Sequence, residues 1–486
     1  SVVVLFLCVG ILTPKEMLEG FSNKGMITVA LLFLVSEGIR QSGTLGQVIK
    51  KLLPQGKTTV FKAQLRILPS VAFISAFLNN TPVVVIFAPI IKHWAKSVKL
   101  PATKFLIPLS YVTILGGICT LIGTSTNLVV HGMILEAGYE GFTMFELGKV
   151  GIFIAIAGII YLFIFSKRLL PDARPDTAVP DEEVEEGEKL HRVEAVLGAR
   201  FPGINKKLSD FNFQRHYGAE VKEIKTRNGQ RYVDHLEDVV LREGDTLVVM
   251  ADDTFIPTWG ESSVFVLLTN GNDPDTSGKK KRWLALILLV LMIVGATVGE
   301  LPATKEMFPD IKLDMFFFVC ITTIIMAWTN IFPARKYTKY ISWDILITIA
   351  CAFAISKAMV NSGVADCVAG FIIGLSDDYG PHVLLAILFV ITNLFTELIT
   401  NNAAAALAFP LALSISAQLG VSPTPFFVVI CMAASASFST PIGYQTNLIV
   451  QGIGNYKFTD FVRIGLPLNI ITFLISVILI PLIWNF

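Results

Sequence analysis

The chain has 486 residues, of which 53% are hydrophobic and only 16% are charged. Soluble domains carry about 25% charged residues, so this composition indicates an integral membrane protein. The formal net charge of +1 argues against a nucleic-acid partner, because phosphate binding needs a concentrated basic surface. No GxSxG, HExxH or Walker-type motif stands in a fitting context, so we expect neither an enzyme nor a catalytic residue.

Seven windows of the chain are apolar over roughly the length that crosses a bilayer. They are Ile27–Ile39, Val150–Phe165, Trp283–Thr297, Met315–Thr329, Ile341–Ala358, Val383–Phe395 and Leu466–Trp484. The chain begins at Ser1 within a further apolar run that lacks the charge pattern of a signal peptide. We therefore expect an N-terminally trimmed form of a longer, multi-pass protein embedded in a lipid bilayer.

A soluble segment separates two membrane regions. Residues 171–189 are acidic and Pro-rich, which is typical of a solvated linker. Residues 190–257 alternate as strands do and predict a small α/β domain, and residues 258–282 read as a second linker. Basic residues flank the neighbouring spans at Lys167-Arg168 and at Lys279–Arg282. By the positive-inside rule they put the inserted domain in the cytoplasm.

The two membrane regions, residues 1–170 and 283–486, repeat each other's polar interruptions. "NNT" at Asn79–Thr81 is echoed by "TNN" at Thr400–Asn402, and "GTSTNLVVHG" is echoed by "TPIGYQTNLIVQG". Matching features lie about 320 residues apart, a spacing that chance would not give. Paired polar interruptions in two halves of a membrane protein point to a transporter with inverted repeats. We therefore expect an all-α polytopic membrane protein with two inverted repeats.

The polar breaks predict a specific chemistry. Irregular backbone at membrane depth must be buried in protein or line a wet cavity, so each break predicts a helix end, an unwound tip and a new helix start. Thr81 suits the N-cap and Pro82 the first helical position, and Thr440-Pro441 repeats the arrangement. Helix-end carbonyls with Asn and Thr oxygens suit a small cation, whereas helix N-termini favour an anion. The only charged residue near the tips is Glu397, so the pattern favours cation-coupled anion transport.

Four stretches of sequence carry these features, "SAFLNNTPVVVIFAPI" with "LIGTSTNLVV" and "TELITNNAAAALAFPLA" with "STPIGYQTNLIV". Together they resemble the divalent anion/sodium symporter (DASS) family, in its sulfate-permease-like branch with cytoplasmic TrkA-C (RCK C-terminal) domains. The resemblance covers nearly the whole chain. It implies a homodimer in the cell (inner) membrane, with two re-entrant hairpins in a mobile transport domain that works by an elevator motion.

The inserted domain resembles a TrkA-C domain through "YGAEV" and "LREGDTL". In the family such domains dimerise and sense small ligands, so a small-molecule ligand of this domain is a possible partner. The insert has no GxGxxG fingerprint, which argues against NAD binding. Regulation and dimer stabilisation remain equally open as the role of this domain.

The resemblance also implies which residues bind sodium and the anion, and we expect sodium as the coupling ion and no organic cofactor. One sodium site would comprise Ser75, Asn79, Asn80 and the backbone at Gly123. The other would comprise Thr396, Thr400, Asn401 and the backbone near Ser439. The anion would lie between Asn80, Thr81, Thr124, Asn401, Asn402, Thr440 and Pro441.

The sequence departs from the family pattern at the tips. Asn replaces Ser at position 79 and Thr at position 402, and "GYQTN" replaces a shorter Pro-Pro-Asn loop. These changes add amide donors for a compact oxyanion, and the branch name makes sulfate the first choice by analogy. A dicarboxylate such as succinate and phosphate stay open. Two further hypotheses are a sodium/proton antiporter with Glu397 as proton carrier and a membrane sensor that acts through the TrkA-C domain.

Overall fold

The structure is a computed structural model that describes residues 2–172, 191–198, 200–226, 230–252, 255, 259, 264–269, 279–307, 311–333, 335, 337–374 and 380–486. The linker predicted at 171–189 lies almost wholly outside these residues. Seven helices of the described part are long and apolar enough to cross a membrane. They are Pro14–Gln41, Gly148–Leu169, Lys280–Gly299, Trp343–Asn361, Gly380–Leu398, Asn401–Leu419 and Phe458–Ile483.

The first membrane region contains nine α-helices. They are α1 (Val2–Cys8), α2 (Pro14–Glu19), α3 (Lys24–Gln41), α4 (Thr44–Leu52), α5 (Val60–Ser75), α6 (Asn80–Ser97), α7 (Leu106–Gly117), α8 (Ser125–Glu136) and α9 (Gly148–Leu169). The insert contains α10 (Phe213–Tyr217). In the second region the described residues form α11 (Lys279–Gly299), α12 (Pro302–Met307), α13 (Met315–Trp328), α14 (Tyr337–Tyr340), α15 (Trp343–Asn361), α16 (Val364–Gly374), α17 (Gly380–Leu398), α18 (Asn401–Leu419), α19 (Thr424–Ser435), α20 (Gln445–Gly454) and α21 (Phe458–Ile483).

The first polar break is the bend of a helical hairpin formed by α5 and α6. Asn79 has extended backbone with φ −56° and ψ 139° and is the N-cap of α6, which begins at Asn80. The prediction that Thr81 is the N-cap is therefore wrong, because the helix begins earlier. Pro82 is tolerated in this first turn, since the first four N–H groups of a helix have no intrahelical partner.

The second polar break is the bend between α17 and α18, with Thr400 as N-cap at ψ 149°. The open ends of the two hairpins lie at opposite ends of the helical body, as contacts to α9 show. Near the last turn of α9, the Lys167 carbonyl accepts a hydrogen bond from Lys104, which follows the first hairpin in the chain. Just before the first turn of α9, Glu146 contacts Trp484, and the neighbouring Phe486 packs against His382 in the first turn of α17.

Two further helices are interrupted at membrane depth. Residues 118–124 separate α7 from α8, and residues 436–444 separate α19 from α20. Glycine permits the close approach in the first interruption, since a Cβ on Gly117 would lie 2.6 Å from Asn80 Oδ1 and 3.0 Å from the Gly123 carbonyl oxygen. The predicted helix start at Thr440-Pro441 is wrong. These residues lie within the interruption, and α20 begins at Gln445 with Tyr444 as N-cap.

The insert forms a five-stranded antiparallel sheet in the order β3-β2-β4-β1-β5. Its strands are β1 (His191–Leu197), β2 (Glu220–Lys225), β3 (Arg231–Tyr232), β4 (Thr246–Ala251) and β5 (Phe265–Thr269). The strand β5 falls within 258–282, the segment that reads as a linker, because pairing with β1 recruits it to the sheet edge. The sheet has its own aromatic core around Phe201 and Tyr217.

The sheet rests on the helical body near the C-terminal ends of α6 and α20. Glu194 of β1 makes an ion pair with Lys92 of α6, and Val196 packs into the core of the helical body. A Cβ on Gly452 of α20 would lie 2.6 Å from Thr246 Oγ1 of β4, so the two backbones approach closely there. Two of the helices that begin at the polar breaks, α6 and α20, therefore carry the insert near their C-terminal ends.

Candidate functional site

An oxygen cluster surrounds the Asn80 side chain, which is 1% exposed. One side of its amide lies 2.8 Å from Ser75 Oγ, 2.9 Å from the Thr113 carbonyl oxygen and 3.2 Å from the Gly123 carbonyl oxygen. Carbonyl oxygens can only accept hydrogen bonds. The cluster is therefore satisfied either when the Asn80 nitrogen donates into it or when a cation binds among its oxygens, since hard cations prefer oxygen ligands.

A second group of oxygens lies beside the second hairpin. The Thr396 hydroxyl donates to the Ala434 carbonyl oxygen at 2.6 Å, and Ser437 Oγ lies 3.4 Å from the Thr396 carbonyl oxygen. A Cβ on Gly443 would collide with both Ser437 Oγ and the Thr396 carbonyl oxygen. Gly443 thus borders this cluster as Gly123 borders the first one.

The two interruptions are closed by the same pair of hydrogen bonds. In the first, Gly123 N donates to Thr120 Oγ1 (3.2 Å) and Asn127 Nδ2 donates to the Thr120 carbonyl (2.9 Å). In the second, Gly443 N donates to Thr440 Oγ1 (3.4 Å) and Asn447 Nδ2 donates to the Thr440 carbonyl (3.2 Å). The bonds tie each unwound segment to the helix that follows it. In each interruption the residue after this glycine is the N-cap of the following helix, Thr124 in the first and Tyr444 in the second.

The Tyr444 hydroxyl joins the two interruptions and the first hairpin. It lies 2.6 Å from the Asn80 amide and 2.9 Å from Thr124 Oγ1, and the Asn401 side chain is near it. Tyr444 is only 6% exposed. The phenol therefore connects the first oxygen cluster to the N-terminal ends of α8 and α18.

Four helices begin around Tyr444, namely α6, α8, α18 and α20. None of their N-cap side chains accepts a hydrogen bond from its own helix. The N–H groups of the first turns thus lack the side-chain caps that usually satisfy them. Helix N-termini carry partial positive charge and bind anions. Their convergence provides a site for an anion that needs no lysine or arginine.

Glu397 is held by hydrogen-bond donors of the second half. Its Oε1 accepts from the Ser439 backbone N–H at 2.8 Å and from Asn469 Nδ2 at 2.7 Å. Its Oε2 is buried and has no hydrogen-bond partner among the described residues. The carboxylate is thus half satisfied, and it lies next to the second hairpin tip without occupying it.

The structure brings some of the predicted site residues together and separates others. Ser75, Asn80 and the Gly123 carbonyl share one cluster, and Thr124 and Asn401 reach Tyr444. Thr81 Oγ1 donates to Gln445 Oε1 at 3.2 Å. Asn402 Oδ1 accepts from Ser125 Oγ at 3.1 Å and from Thr126 Oγ1 at 3.3 Å. These pairs lie at the starts of the four converging helices.

Other predicted site residues lie away from the two oxygen clusters or make different contacts there. Asn79 lines a separate small cavity with α3, and Thr400 is exposed at the bend of the second hairpin. The Ser439 backbone donates to Glu397 and offers no oxygen to the Thr396 cluster, and Thr440 Oγ1 donates to the Glu397 carbonyl at 3.0 Å. Pro441 is buried within the interruption.

Sequence reasoning missed Tyr444, the Thr113 carbonyl and Thr126, whose Oγ1 accepts a hydrogen bond from Asn401 at 2.7 Å. A signal for Tyr444 was present. It lies 320 residues after Thr124, a predicted site residue, and that is the spacing of the repeat. No side-chain pattern could reveal the Thr113 carbonyl, because every residue carries one.

Comparison with known proteins identifies a family of transporters. A family model described as "Citrate transporter" (CitMHS) matches residues 1–420 and 307–486. The chain is 30% identical to the uncharacterized transporter sll0640 of Synechocystis, over 100% of this chain and 93% of the relative. It is 26% identical to the uncharacterized transporter YfbS of Escherichia coli, over 100% of this chain and 95% of the relative.

A third relative has a more specific name. The chain is 30% identical to the sodium/sulfate cotransporter 2 of Chlamydomonas reinhardtii, over 58% of this chain and 31% of the relative. The matches agree with the predicted DASS-type resemblance and with an integral membrane transporter. The chain belongs to the citrate transporter family, and the relatives that it resembles include uncharacterized transporters and a sodium/sulfate cotransporter.

Proposed function

We propose that this protein is a secondary active transporter that carries a divalent anion together with sodium, with sulfate as the first choice. The observation that carries the proposal is the convergence of four helix N-termini without side-chain caps around the buried Tyr444. Such a convergence favours a small anion. A compact tetrahedral oxyanion fits donors that approach from several directions better than an extended dicarboxylate does.

Sodium coupling is supported by the two oxygen clusters. The first, around Ser75, Asn80 and Gly123, is linked to the proposed anion site by the Asn80 amide, which also contacts Tyr444. The second, around Thr396, borders the other hairpin. Neither cluster contains a carboxylate, so a monovalent cation suits them better than a divalent one, which usually recruits charged ligands. Cations bound there would offset the charge of the anion.

The proposed mechanism follows from the arrangement of the hairpins. Hairpins whose open ends lie at opposite ends of the body are the geometry of inverted repeats around a central site. We propose an elevator motion in which the hairpins carry the site across the membrane, within a homodimer in the cell membrane. We further propose that the sheet of residues 191–269 is a cytoplasmic TrkA-C-like domain, consistent with its contact beside the basic end of α9.

Uptake into proteoliposomes tests the function. Purified protein is reconstituted, and labelled sulfate, phosphate and succinate are each offered with an inward sodium gradient and with choline in place of sodium. We expect sodium-dependent accumulation of sulfate, and unlabelled sulfate should compete best. Accumulation of succinate or phosphate without sulfate would refute the sulfate assignment, and equal uptake with choline would refute sodium coupling.

One alternative is supported by the buried, unpartnered Oε2 of Glu397, which could take up a proton. In that case the protein would exchange sodium for protons. A pH-dependent sodium flux in the absence of any anion would favour this function over symport. A sensor that acts through the insert predicts instead that Asn80→Ala leaves its function intact.

A further inference from the structure

We propose that Tyr444 couples sodium to the anion, because the orientation of the Asn80 amide decides whether the Tyr444 hydroxyl proton is available to the anion. This inference rests on the proposed function and adds a mechanism for its coupling. It concerns one hydrogen-bond chain that runs from the first oxygen cluster through Asn80 and Tyr444 to Thr124.

The amide of Asn80 can satisfy its surroundings in only two ways. In the first, its nitrogen faces Ser75 Oγ and the carbonyls of Thr113 and Gly123, and its oxygen lies 2.6 Å from the Tyr444 hydroxyl. Tyr444 must then donate its proton to Asn80, because an amide oxygen only accepts. This arrangement gives both N–H groups and the oxygen of the Asn80 amide a partner when the cluster contains no cation.

A cation in the cluster requires the opposite arrangement. The amide oxygen must then face Ser75 and the two carbonyls to complete the oxygen ligands, as cations require. The amide nitrogen faces the Tyr444 oxygen and donates to it. Tyr444 no longer donates to Asn80, so its own proton is released for another acceptor.

The released proton points toward the proposed anion site. Besides Asn80, the Tyr444 hydroxyl contacts Thr124 Oγ1 at 2.9 Å, and Thr124 is the N-cap of α8. Asn401, the first residue of α18, lies near the same hydroxyl. Asn80 and Tyr444 are 1% and 6% exposed, so bulk water does not supply a substitute donor. Sodium would thus add one O–H donor to the anion site.

The size of the effect follows from the strength of one such bond. A hydrogen bond to a charged group changes an affinity by roughly ten- to a hundredfold. By linkage the anion must raise the affinity for sodium by the same factor. A chain of neutral side chains can therefore couple the two ligands without a charged residue between them.

Equilibrium binding of labelled sulfate to the purified full chain in detergent tests the inference. The dissociation constant is measured with saturating sodium and with choline. The readout is the ratio of the value in choline to the value in sodium, which states how much sodium tightens sulfate binding. We expect Tyr444→Phe to reduce this ratio at least tenfold, whereas a purely structural role would weaken binding equally in both media. The matched control is Tyr161→Phe, since Tyr161 is a buried phenol that donates to the Ile464 carbonyl at 2.9 Å.

A second variant covers the case in which Tyr444→Phe does not fold. Asn80→Asp has no N–H group, so its carboxylate accepts the Tyr444 proton in both media, and the ratio should fall here too. A wild-type ratio in Tyr444→Phe would overturn the inference while leaving the proposed function standing. If the wild-type chain binds neither sulfate, phosphate nor succinate in a sodium-dependent way, the proposed function fails and the inference falls with it.

Discussion

Replacing Glu194 by Gln should loosen the insert from the helical body. Glu194 of β1 lies 3.1 Å from Lys92 Nζ of α6 and 3.3 Å from Lys225 Nζ of β2. The side chain of Glu194 is 17% exposed, and those of Lys92 and Lys225 are 22% and 4% exposed. This carboxylate therefore pairs with two largely buried ammonium groups, one from each side of the contact, and Lys225 has Glu223 as a second partner at 3.9 Å.

The magnitude follows from the pKa of Glu194. Burial by itself raises this pKa, but the charges of Lys92 and Lys225 outweigh burial and lower it from 4.5 to about 2. Since one pKa unit corresponds to about 1.4 kcal/mol, the ionised carboxylate stabilises the folded, docked state by on the order of 3 kcal/mol. Removing one partner of a buried ion pair costs roughly 3–5 kcal/mol, because the other charge stays buried.

The pH dependence has a definite sign. The folded-state pKa lies below the unfolded value, so the stabilisation by Glu194 is fully present above about pH 4.5. It is lost as the pH falls from there toward about 2. The difference between the wild-type chain and Glu194→Gln should therefore be largest near neutral pH and should shrink in acid.

Thermal unfolding of the full chain in detergent measures this difference. Melting temperatures of the wild type and Glu194→Gln are compared at about pH 7, 5, 4 and 3, a range that reaches from above the unfolded pKa into the interval between the two pKa values. The control is Glu220→Gln, because Glu220 is 54% exposed and pairs only with Lys222 in the contacts described, and such surface pairs contribute about 0–1 kcal/mol. Equal melting of wild type and Glu194→Gln at pH 7, or a gap at pH 3 as large as the gap at pH 7, would refute the reasoning.

Two further variants probe the site itself. Gly117→Ala would put a Cβ 2.6 Å from Asn80 Oδ1, so we expect at least a roughly tenfold loss of sodium-stimulated sulfate uptake. The control is Gly374→Ala, which should transport normally because its Cβ meets nothing within 4 Å. Glu397→Gln keeps an oxygen that can accept a hydrogen bond from Asn469, so sodium-driven sulfate uptake should survive at more than about a tenth of the wild-type rate. If this variant instead abolishes a pH-dependent sodium flux, the result would support sodium/proton exchange.

The sequence by itself determined the class of protein and the positions of the polar breaks. Asn80 and Asn401 could be predicted because amides in an apolar helix are costly, and their recurrence at matching places in two halves leaves few explanations besides a site. The residue types around them also indicated oxygen ligands for a cation and helix starts for an anion. These conclusions need only composition, spacing and the cost of polar groups in a membrane.

Tertiary structure alone decided which groups meet. Asn80 and Tyr444 are 364 residues apart, and no local pattern tells whether a loop tyrosine turns inward. The Thr113 carbonyl belongs to the first cluster only because α5 and α7 pack together. Asn79, which was predicted to belong to it, lies outside the cluster because α6 begins at Asn80. A hydrogen-bond chain depends on positions accurate to fractions of an ångström, and only the packing of distant helices specifies them.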